Sequence, residues 1–82
     1  MSKVFLEVYM FRNKTKDELD AILNDLKINL ENNYKDLAHD ALKRLQARLE
    51  ACRLAGSLKE KDYLKYKKIV DDYTVRLADY HH

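Results

Sequence analysis

Ser57–Tyr80 reads SLKEKDYLKYKKIVDDYTVRLADY, and Tyr63, Tyr66, Val70, Tyr73, Leu77 and Tyr80 recur in it at steps of three and four. That spacing places them on one stripe of an α-helix, with lysines and aspartates filling most positions between. Ser57 and Glu60 have the spacing of a capping box, in which each side chain would satisfy a free backbone N–H at the helix start. A helix over 58–80 follows.

Immediately upstream stands Gly56, the only glycine in the chain, suited to the left-handed position just past a helix end. It closes a second expected helix, 34–55, whose buried stripe is Tyr34, Leu37, Ala38, Ala41, Leu42, Leu45, Leu49 and Cys52, with Asn33 as its N-cap. So short a joint makes the two helices antiparallel neighbours. Further back, Thr15 and Glu18 have the same box spacing and open an expected helix over 16–30, lined by Leu19, Ile22, Leu23, Leu26 and Leu30. Val4–Phe11, VFLEVYMF, is apolar at seven of eight positions. Its β-branched and aromatic content suits a strand, yet no second strand is visible to pair with it, whereas a helix satisfies its own backbone. The segment is therefore read as helical or extended.

The fold expected is all-α and a single domain over 1–82: an antiparallel helical hairpin plus a shorter first helix. It would close as a three-helix bundle or pair in a dimeric one. With no proline and 37% charged residues, the chain favours long uninterrupted helices. A first helix of about 23 Å cannot cover hairpin helices of about 33 and 35 Å, which argues for a second copy, a dimer being favoured. Small domains often draw stability from self-association, and Cys52, the lone cysteine, offers no cross-link. A single unpaired thiol fits a reducing, cytoplasmic location.

Charge is unevenly spread. Thr15–Asp40 holds seven acidic and three basic residues, Lys43–Lys68 nine basic and three acidic, although the whole chain carries only +2. The plain reading is an acidic helix packed beside a basic hairpin. The sharper one is a nucleic-acid surface built from Arg44, Arg48, Lys61, Lys65 and Lys68, with tyrosines to stack on bases. A pI near 8.6 falls short of the usual nucleic-acid footprint, and neighbouring aspartates suit ordinary ion pairs.

Tyrosine in a dry core is awkward because each hydroxyl needs a partner, so the stripe fits a core edge or a contact surface. Tyr66, Tyr73, Leu77 and Tyr80, with Val4, Val8 and Phe11, are the expected interaction surface, binding a second copy or another protein. Asp36, His39 and Asp40 share a face, but the carboxylate–histidine motif of helical di-metal sites occurs only once. Cys52 lies on the core stripe, far from any base, and reads as a small hydrophobe. No phosphate loop or nucleophile motif is present, so no enzyme activity, catalytic residue, metal or cofactor is expected. VFLEVYMF is too short to span a bilayer, and Glu7 interrupts it without a cleavage site after it, so neither a membrane partner nor a signal peptide is expected.

Overall fold

The computed structural model describes the backbone of residues 3–78 and the side chains of residues 14–78. Three helices make up the described residues: α1 (Lys3–Glu31), α2 (Lys35–Ala55) and α3 (Glu60–Ala78), with no strand among them. α2 is central, packing against α1 on one side and α3 on the other, while no described Cα of α1 comes within 8 Å of one in α3. The all-α, three-helix architecture expected from the periodicities is what forms.

The first helix departs from expectation. It starts at Lys3, runs through the 4–11 segment and is 29 residues long, against 21 for α2 and 19 for α3. At 1.5 Å per residue these are about 43, 32 and 28 Å, so α1 is the longest helix and the length mismatch runs the opposite way. Neither glycine nor proline interrupts the chain before Gly56, and a lone strand would have left its backbone unpaired. Thr15 is consequently a buried helix-interior residue rather than a cap, and Thr15–Glu18 is a box spacing without a helix start.

Both turns follow one plan. Asn33 has φ +62°, with Asn33 N–H donating to Leu30 O at 3.0 Å and Tyr34 N–H to Asn29 O at 2.8 Å. Gly56 has φ +69°, with its N–H donating to Arg53 O at 3.1 Å and Ser57 N–H to Cys52 O at 3.0 Å. Each pair of bonds is a Schellman closure of the preceding helix. Asn33 therefore ends α1 rather than capping α2, whose N-cap is Tyr34 without a side-chain cap bond. Ser57 likewise looks backward: its hydroxyl donates to Cys52 O at 3.2 Å, inside the core, while α3 starts three residues later at Glu60.

The core joins Leu19, Leu23 and Leu26 of α1 to Ala38, Ala41, Leu42, Leu45, Leu49 and Cys52 of α2. Leu58 and the α3 residues Tyr63, Tyr66, Val70 and Leu77 close it. Ala38 and Ala41, both wholly buried, let the neighbouring backbone approach closely.

Candidate interaction surfaces

The tyrosine stripe faces inward. Tyr66 and Leu77 are buried in the chain's own core, Tyr63 is buried beside them and Tyr73 packs against its edge. Tyr66 and Leu77, expected on a contact surface, are buried within the chain's own core; Tyr80 lies outside the described residues. The reason is that the hydroxyls find partners at the rim. Tyr66 donates to Asp20 Oδ1 of α1 at 2.6 Å, and Tyr63 donates to Glu50 Oε2 of α2 at 2.7 Å. Arg53 donates to the Tyr63 hydroxyl at 3.5 Å and lies 4.8 Å from its ring centre, while Arg76 covers Tyr73 at 5.2 Å. Burial, then the hydrogen bond to Asp20 and the negative charge there, push the Tyr66 phenol well above its ordinary pKa. The stripe itself was legible. Its partners Asp20 and Glu50 were missed, because edge acids carry no signal until the packing register is known.

The expected nucleic-acid residues are divided by the fold. Arg44 pairs with Asp25 at 2.5 Å and Arg48 with Glu18 at 2.6 Å, so both spend their charge across the α1–α2 seam. Lys61, Lys65 and Lys68 are all exposed on α3, the Lys65 Nζ lying 5.9 Å from the Tyr66 ring centre. Lys16 of α1 reaches Asp62 of α3 at 3.0 Å. The acidic helix does lie beside the basic hairpin.

Among the described residues, two surface hollows stand out. One, of about 430 Å³, is lined by the consecutive residues 33–37; the other, of about 290 Å³, lies between Lys27, Leu30, Glu31, Tyr73 and Arg76. The second brings the polar side chains of Lys27, Glu31, Tyr73 and Arg76 around Leu30. Among the described residues, no group of three or more His, Cys, Asp or Glu side chains could hold a metal, and Cys52 is a buried free thiol. No helix among them is long and apolar enough to cross a membrane.

A further surface is the start of α1. Arg44–Asp25 and Arg48–Glu18 set the α1–α2 register; Lys16–Asp62 and Asp20–Tyr66 set that of α1 and α3. Continued at equal rise, both registers bring the end of α2 and the start of α3 level with roughly residues 11–14 of α1. About ten residues of helix, some 15 Å, therefore run on past the hairpin. They contain VFLEVYMF. The side chains of Val4, Val8 and Phe11 lie outside the described residues, but along one continuous helix these positions keep step with Thr15, Leu19 and Leu26 of the core stripe. No protein-family model, curated protein or solved structure matches the chain.

Proposed function

We propose that the protein is a non-enzymatic helical interaction module that associates with its own copy through the N-terminal overhang of α1. The observation that carries the reading is that α1 outruns both other helices by about three turns, over a segment apolar at seven of eight positions. An apolar helix face of that length left in water is unfavourable, and covering it with protein is the usual resolution. The three-helix body then serves as a rigid base. Its tyrosines fasten α3 to α1 and α2 rather than reaching a partner.

The test is solution mass by light scattering over a concentration series, at low and high salt, for the full chain and for Val8→Asp. A dimer indifferent to salt is expected for the full chain, since screening acts on charges and little on apolar contacts. Val8→Asp should be monomeric with the body's helical circular dichroism intact. A full chain that stays monomeric throughout, or a Val8→Asp variant that still pairs, defeats the reading.

A further inference from the structure

We infer that the occupant of the overhang is the same segment of a second copy, laid antiparallel, so that the two three-helix bodies stand at opposite ends of the dimer. The inference rests on the self-association proposed above and adds its geometry. Because positions 4, 8 and 11 continue the stripe that faces the hairpin lower down, a covering helix lies on the hairpin's side of α1. A parallel partner placed there would run, within about ten residues, into the ends of α2 and α3, because its own α1 continues in that direction to Glu31. An antiparallel partner continues the other way and meets no such obstacle.

Two further features fit a second copy. The segment is nearly neutral, with Lys3, Glu7 and Arg12 as its charges, so two copies do not repel strongly. A two-fold contact also needs a face that complements itself, which an aliphatic and aromatic stripe does. An overlap of about ten residues per copy lies near the lower limit of roughly 1,000 Å² for specific interfaces, which makes the dimer reversible rather than permanent.

The experiment places a spin label at the exposed end of α1, Glu31→Cys, in a Cys52→Ala background, and measures the distance between copies. Two 29-residue helices overlapping by about ten residues put these labels about 70 Å apart, whereas a parallel pair holds them within about 30 Å. The long distance, lost when Val8→Asp is added, supports the inference. A short distance that is also lost with Val8→Asp overturns the antiparallel arrangement while leaving the overhang as the contact. Absence of any dimer in the unlabelled chain overturns both.

Discussion

Tyr66 shows how a single side chain ties this fold to pH. Its phenol is buried and donates to Asp20, so the folded chain holds that proton more tightly than the unfolded chain, where the pKa is near 10. Below that pH both states keep the proton and the contribution is fully present. Above it the unfolded chain releases the proton first, and stability falls by up to about 1.4 kcal/mol per pH unit until the folded phenol also ionises. Urea unfolding at rising alkaline pH should therefore show a steeper loss for the natural chain than for Tyr66→Phe. Equal slopes would remove Tyr66 as the cause. The two left-handed positions offer a paired test. No atom lies within 4 Å of a β-carbon built on Gly56, so Gly56→Ala should cost only the backbone penalty, about 1–2 kcal/mol. Asn33→Gly should stabilise by up to about 1 kcal/mol, since glycine takes that conformation freely. Thermal melts of the two variants should move in opposite directions.

At the scale of helices, α2 is the element whose loss would be felt everywhere. Leu45 is wholly buried at its middle, and α2 packs against both α1 and α3. Leu45→Ala should cost about 2–5 kcal/mol, a large part of what a domain of this size possesses, and calorimetry should show a melting midpoint far below that of the natural chain. α2 and α3 were legible because an apolar stripe at helical period survives any detail of the ends, and Gly56 marks a left-handed stop by itself. The ends were less legible for a physical reason. A serine or threonine three residues before a glutamate also describes two neighbours on one helix face, so Thr15–Glu18 looks the same at a helix start and in a helix interior. Asn33 suits either an N-cap or a left-handed C-terminal position, and only the bonds to Leu30 O and Asn29 O decide between them. The interaction residues divided similarly: periodicity put the tyrosines on one stripe but could not say whether α1 or another chain would cover it.

Across the described residues the helices pack as a chain of neighbours, α1 on α2 and α2 on α3, with side chains reaching between α1 and α3. α3 gains less from its surroundings than the α1–α2 pair, so amide hydrogen exchange should be fastest there among the three helices' buried stretches, with α2 most protected. Protection of α3 equal to that of α2 would mean that the three helices open as one unit. The lack of proline, which favours long helices, has a second effect, on time. Every helix here docks on the next one in sequence, so each closing loop is short and the search for partners is local, a topology whose folding belongs in the microsecond to millisecond range. Slow isomerisation of a proline peptide bond, the commonest brake on small domains, has no bond to act on in this chain. Refolding of the monomer should run to completion in one fast exponential, and any second, slower phase should depend on protein concentration and report two copies finding each other.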